Sequence, residues 1–85
     1  MKIKNTLSNN TCVGIDIGTT KTCCVVGEVN LDKIEILGIG VSNSQGVKKG
    51  SVIDIDNTIS SIEDAVNKAE KMSGKKISEA TIGIS

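Results

Sequence analysis

Eighty-five residues bound this chain to one small domain, and ten lysines against ten acidic residues leave it without net charge. It contains no His, Arg, Phe, Tyr or Trp. It therefore lacks the positive excess and the base-stacking rings of a general nucleic-acid binder, and it has no His-based triad, dyad or metal ligand. Thirteen isoleucines in an aromatic-free composition favour β-structure over a helical bundle.

Residues 1–11 read as a disordered N-terminal tail. Lys2 and Lys4 resemble the start of a signal peptide, but Asn5 to Thr11 is polar where an apolar run should follow. No apolar stretch approaches the roughly 18 residues of a membrane helix. The three cysteines, Cys12, Cys23 and Cys24, are odd in number and form no C-x-x-C pair. They read as reduced thiols used as small hydrophobes in a cytoplasmic protein. Cys23 and Cys24 are neighbours on one strand and point to opposite faces, so they cannot jointly clamp a metal.

Cys12 to Ile17 is an apolar run broken only by Asp16 and predicts a buried strand. Gly18 to Lys21 is a turn, and Thr22 to Val29 a second strand. Asn30 to Asp32 turns the chain into a third strand over Lys33 to Val41. There the apolar parity changes from Ile34 and Ile36 to Leu37, Ile39 and Val41, which with Gly38 and Gly40 predicts a bulge or bend. Two tight connections in succession predict an antiparallel meander. Ser42 to Ser51 reads as a loop, and Val52 to Ile55 as a short apolar piece. A helix fits Asn57 to Ser73, with Asp56 as N-cap, or Ser60 and Glu63 as a capping box for a later start. Ile59, Ile62, Ala65, Val66, Ala69 and Met72 form its apolar face. Asp64 and Lys68 are spaced as an i,i+4 pair, and Gly74 suits a left-handed C-cap. Ala80 to Ile84 begins a further strand, whose open edge invites self-association. The order is β-β-β-α-β, an α/β arrangement.

Asp16 is the residue most suggestive of chemistry. A carboxylate inside an apolar strand is costly unless something pairs with it. Alternation places Gly14, Asp16 and Gly18 on one face, which leaves a slot along the strand where a ligand can approach the backbone. A glycine-led turn then directs N–H groups into a concavity suited to phosphate oxygens; Thr19, Thr20 and Thr22 add hydroxyls and Lys21 a positive charge. A hydrated Mg²⁺ between Asp16 and the phosphates would relieve their repulsion. The alternative is a strand-end acid on a solvated edge beside an ordinary hairpin turn, and spacing alone leaves both open. Two other phosphate motifs are absent: no G-x-x-x-x-G-K-[ST] occurs, and Gly38-Ile39-Gly40 opens no helix. Gly46 to Gly50, with Lys48 and Lys49, reads as a flexible loop.

Val13 to Thr22, V-G-I-D-I-G-T-T-K-T, resembles the first phosphate motif of the actin, Hsp70 and sugar-kinase ATPase superfamily. Within it, V-G-E-V (Val26 to Val29), I-L-G-I-G-V-S (Ile36 to Ser42), G-V-K-K-G-S-V-I-D-I-D (Gly46 to Asp56), A-V-N-K-A-E-K-M-S-G (Ala65 to Gly74) and I-S-E-A-T-I-G-I-S (Ile77 to Ser85) resemble the bacterial FtsA family. The resemblance implies a partial actin-like (ribonuclease H-like) subdomain over residues 12–85. It implies an ATP-binding protein with at most weak ATPase activity, which tethers FtsZ filaments to the inner membrane and recruits other division proteins. Asp16 would face Mg²⁺ through water, and Gly18, Thr19, Thr20 and Lys21 would line the β- and γ-phosphates of ATP. Family members are several-fold longer. The second phosphate motif, the adenosine motif, the FtsZ-binding subdomain and the amphipathic membrane helix find no counterpart here, so the chain alone is expected to be inactive. A pilus-assembly or cell-shape relative, or the first lobe of a sugar kinase, are the other branches carrying this hairpin.

Overall fold

In the computed structural model the described residues are 4–5, 10–44, 54–78 and 80–84. β2 (Thr11–Ile17), β3 (Lys21–Asn30) and β4 (Lys33–Asn43) form the expected meander, each antiparallel to the next. β5 (Thr81–Ile84) lies parallel to β2, with Gly14 opposite Thr81 and Ile17 opposite Ile84. α1 (Ile55–Ser73) makes the crossover from β4 to β5 that a parallel return requires. The chain is thus α/β, with β2, β3, β4, α1 and β5 in the expected order.

β1 (Lys4–Asn5) lies within the stretch read as a tail. It pairs antiparallel with β2, Lys4 opposite Val13 and Asn5 opposite Cys12. β5 engages this edge of β2 only from Gly14 to Ile17, so the outward backbone groups of Val13 are left for another strand, while those of Cys12 face Gly27 of β3. Thr11, assigned to the tail, is the first residue of β2 and is buried.

The core lies on one face of the sheet. Val13, Ile15 and Ile17 of β2 and Cys24 and Val26 of β3 are buried beneath Ala65 and Ala69 of α1, with Leu37, Ile62, Val66, Ile77 and Ala80 packed around them. The buried line of α1 is Ser61, Ala65 and Ala69, all small residues spaced four apart. Of the expected apolar face, Ala65 and Ala69 are buried and Ile62 and Val66 pack against the core, but Ile59 and Met72 are exposed. The cause lies in β4. A Cβ on Gly38 would stand 2.7 Å from the Ala69 carbonyl oxygen, and one on Gly40 2.7 Å from the Ala69 nitrogen. Helix backbone rests directly on strand backbone, which admits only small residues at the contact. Ser42 completes this line, its hydroxyl donating to the Ser61 carbonyl at 2.6 Å.

The N-cap is Asp54, not Asp56. The Asp54 carboxylate accepts the Asn57 backbone N–H at 3.2 Å and the Asn57 side-chain amide at 3.0 Å. Asp56 sits in the first turn, where a negative charge complements the helix dipole. Gly74 takes the left-handed cap at φ 72°, and Lys68 pairs with Asp64 at 3.2 Å.

The parity change in β4 is a bulge. Val26 pairs with Gly38 and Gly27 with Ile36, so Leu37 is the extra residue. Leu37 turns toward the core, while Ile34 and Ile36 fall on the same open face as Ile39 and Val41. The two-residue turn of Leu31 and Asp32 joins β3 to β4, with Leu31 fully exposed at φ 55°.

Candidate functional site

The β2–β3 hairpin closes on Gly18, whose N–H donates to the Lys21 carbonyl at 2.9 Å. That N–H is used by the turn, so Gly18 can serve a ligand only by lacking a side chain. Thr19, Thr20 and Lys21 are exposed at the tip. The Thr20 carbonyl accepts the Ser44 N–H at 2.8 Å, and the Thr22 hydroxyl lies 2.8 Å from that of Ser44. These bonds tie the hairpin to the end of β4. Thr22 itself is buried on the helix face, which removes it from the set of ligand hydroxyls.

Asp16 lies on the opposite, open face and is half-buried. Its cross-strand neighbours are Cys23 on β3 and Gly83 on β5, and Gly14 precedes it on the same face. Glycine therefore occupies the neighbouring positions on two sides of the carboxylate. Among the described residues, Asp16 has no hydrogen-bond or ion-pair partner. Lys21 shares this face, but its ammonium donates to the Asn43 side-chain carbonyl. A neutral partner leaves the lysine charge uncompensated and free to turn to an anion.

The half-buried carboxylate acts on its neighbour. Burial pushes the Cys23 thiol above its usual range, and the negative Asp16 pushes it further. Cys24, buried on the other face, is pushed up to about 11, chiefly by burial, then by Cys23 and Glu70. Both thiols are protonated at neutral pH, which suits packing and not nucleophilic chemistry.

The structure thus brings Asp16 and the Gly18–Lys21 turn to one end of one sheet face. Sequence reasoning missed Asn43, Ser44 and Cys23. Ser42 and Asn43 were assigned to a loop but extend β4, and the meander register, carried two residues further, would have placed Asn43 opposite Lys21. A pocket of about 220 Å³, lined by Ser42, Asn43, Ser60, Ser61 and Asp64, opens beside the start of α1. Its negative Asp64 and its place on the helix side separate it from Asp16. The Gly46-to-Gly50 loop lies outside the described residues.

A single carboxylate fits Mg²⁺ better than a metal held wholly by protein, since Mg²⁺ keeps several waters and borrows its other ligands from phosphate. No group of three Cys, Asp or Glu residues that could hold an ion occurs among the described residues. A lone half-buried acid between glycines, beside exposed threonines, is compatible with a hydrated ion.

Sheet, crossover helix and glycine-led hairpin define an α/β unit of the actin-like class. The sequence matches the family described as cell division protein FtsA over residues 13–82. It is 46% identical over 80 residues to the cell division protein FtsA of Borreliella burgdorferi, covering 93% of this chain and 19% of that protein. It is 45% identical over 78 residues to that of Pseudomonas aeruginosa, covering 91% and 19%. For that of Bacillus subtilis the identity is 43% over 77 residues, covering 91% and 18%. The chain belongs to the FtsA family, and it spans about a fifth of the length of these relatives. Among the described residues, no helix is long and apolar enough to cross a membrane.

Proposed function

We propose that this chain is the N-terminal, phosphate-binding portion of an FtsA-like division protein, and that within a longer chain it holds the β- and γ-phosphates of MgATP. Thr19 and Thr20 offer hydroxyls and backbone N–H groups at the tip of the hairpin. Gly18 lets the phosphates approach the backbone. Lys21 leaves Asn43 to neutralise phosphate charge. Asp16 orients the water shell of Mg²⁺, and the ion supplies charge neutralisation between carboxylate and phosphates. The observation that carries this reading is the half-buried Asp16 carboxylate, unpartnered among the described residues and bordered by Gly14 and Gly83.

In that reading the whole protein is cytoplasmic and peripheral on the inner membrane, where it tethers FtsZ filaments and recruits other division proteins. The family name and the match over residues 13–82 support this role. The direct test is nucleotide titration of a full-length chain carrying this sequence, with and without Mg²⁺, before and after Asp16→Ala. A loss confined to the Mg²⁺ condition supports the assignment. An unchanged affinity in both conditions removes it.

A further inference from the structure

The free edge of β4 is covered along only half its length. Its outward backbone groups at Ile39, Val41 and Asn43 are each met by a side chain of α1. The Ile39 N–H lies 3.4 Å from the Met72 sulfur, Lys68 donates to the Val41 carbonyl at 3.0 Å, and the Ser61 hydroxyl donates to the Asn43 carbonyl at 3.1 Å. Gly38, Gly40 and Ser42 therefore make the ladder bonds to Val26, Cys24 and Thr22. Past the bulge the same alternation gives the ladder bonds to Glu35 and Lys33, opposite Glu28 and Asn30, and turns the backbone of Ile34 and Ile36 outward. α1 reaches Gly38 only with its last turn and ends at Ser73. Beyond it no described residue covers the edge, and Ile34 and Ile36 are 56% and 50% exposed. An uncovered edge with apolar side chains is a template for strand addition.

The charges on this stretch choose the added strand. Glu28 and Glu35 face each other across β3 and β4, a like-charge pair that destabilises the ladder. Among the described residues, Glu35 thus has an acid on its ladder side and nothing on its free side. We propose that a second copy of this chain fills that side, β4 against β4, antiparallel about a two-fold axis at Ile34. Outward backbone groups then meet outward ones, Ile34 exchanging hydrogen bonds with Ile34 of the second copy. Lys33 falls opposite Glu35 of the second copy, and Glu35 opposite its Lys33. These are the non-hydrogen-bonded positions, where cross-strand side chains come closest. Each Glu35 gains a cation opposite its Glu28 neighbour. A two-fold axis at Glu35 would instead set acid against acid. The Lys33–Ile34–Glu35 triplet is self-complementary in one register only, and the interface is isologous.

Sedimentation equilibrium of the 85-residue chain at low salt tests this. The wild type is expected to dimerise reversibly. Lys33→Glu or Glu35→Lys alone sets like charges opposite each other twice and weakens the dimer about tenfold. The double swap, Lys33→Glu with Glu35→Lys, restores it. Glu35→Lys also removes the clash with Glu28, so its lost dimer cannot be put down to unfolding, and circular dichroism confirms the fold. A chain that stays monomeric up to about 1 mM, or single swaps that leave the dimer unchanged, overturns the proposal. So does a dimer weakened by Ile39→Ser but indifferent to the charge swaps, because it would be packed face to face.

Discussion

Gly40 and Ala69 are in backbone contact: a Cβ on Gly40 would stand 2.7 Å from the Ala69 nitrogen and would also overlap the Ala65 carbonyl oxygen. Neither obstacle is the movable end of a side chain, so α1 must retreat from β4 to admit even a methyl group. Retreat would open the core over Cys24 and Val26 and lengthen the Ser42–Ser61 bond. Gly40→Ala is expected to destabilise the chain by about 3 kcal/mol. Gly27→Ala is the control, because its nearest obstacle is the Ile34 Cγ2 at 3.3 Å, which can shift. Urea denaturation of the two variants should separate them clearly, and equal midpoints would contradict the close helix–strand contact.

Leu31 carries strain of a different kind. Its φ of 55° belongs to the left-handed region, and its side chain is wholly in solvent, so packing returns nothing for the conformation. Leu31→Asn is expected to stabilise the hairpin by roughly 1 kcal/mol, since Asn tolerates this region far better than a bulky residue. Thermal melts compare the variant with the wild type; a lower midpoint for the variant would show that Leu31 is favoured by something other than backbone geometry.

Much of this fold was legible because the period-2 and helical patterns are strong: the three meander strands, the Asp64–Lys68 pair and the Gly74 cap follow from local sequence. The illegible parts depend on tertiary partners. Lys4 and Asn5 carry no apolar pattern, and their strand pairs with β2 at Cys12 and Val13, where β5 does not reach. Ile59 and Met72 look like core by spacing, but Gly38 and Gly40 draw the helix onto its small residues. Asp56 reads as the cap in sequence, but the geometry at Asn57 gives that role to Asp54. For the site, alternation alone placed Asp16 among glycines on one strand. That Cys23 and Gly83 flank it required the register of two other strands.

The thiols give a pH signature. Cys24 titrates near 9.0 when solvated and at about 11 in the fold, so the folded state holds its proton more tightly. The stabilisation is fully present below pH 9 and is lost as pH rises through about 11. Between these values the unfolded chain releases a proton that the folded chain keeps, which costs roughly 2 kcal/mol of stability. The measurement is the difference in stability between wild type and Cys24→Ala from pH 8 to 11. A constant difference would show that the buried thiol is not perturbed. In native protein an aromatic disulfide reagent should modify Cys23, half-buried, faster than Cys24. Asp16→Asn should speed the Cys23 reaction, because one of the two causes raising that thiol is the negative charge of Asp16.

The same Asp16 and Lys21 separate the metal's contribution to nucleotide binding from that of the hairpin. Asp16 is half-buried and has no partner among the described residues, so Asp16→Ala removes a partly desolvated charge and should leave stability unchanged or raise it. Lys21 is exposed, and its bond to Asn43 is a surface contact, so Lys21→Ala should cost less than about 1 kcal/mol of stability. Their effects on binding diverge. A carboxylate cannot attract phosphate, and in a full-length chain Asp16→Ala should weaken nucleotide binding with Mg²⁺ about tenfold or more. With chelator present it should do nothing or improve binding, since a repulsive charge is gone. Lys21→Ala should weaken binding in both conditions, and more with chelator, where no metal shares the neutralisation of phosphate. Calorimetric titration of both variants, with Mg²⁺ and with chelator, gives the four affinities. Equal losses for Asp16→Ala in the two conditions would place the carboxylate away from the metal. A large loss of stability in that variant would make Asp16 a structural strand-end acid.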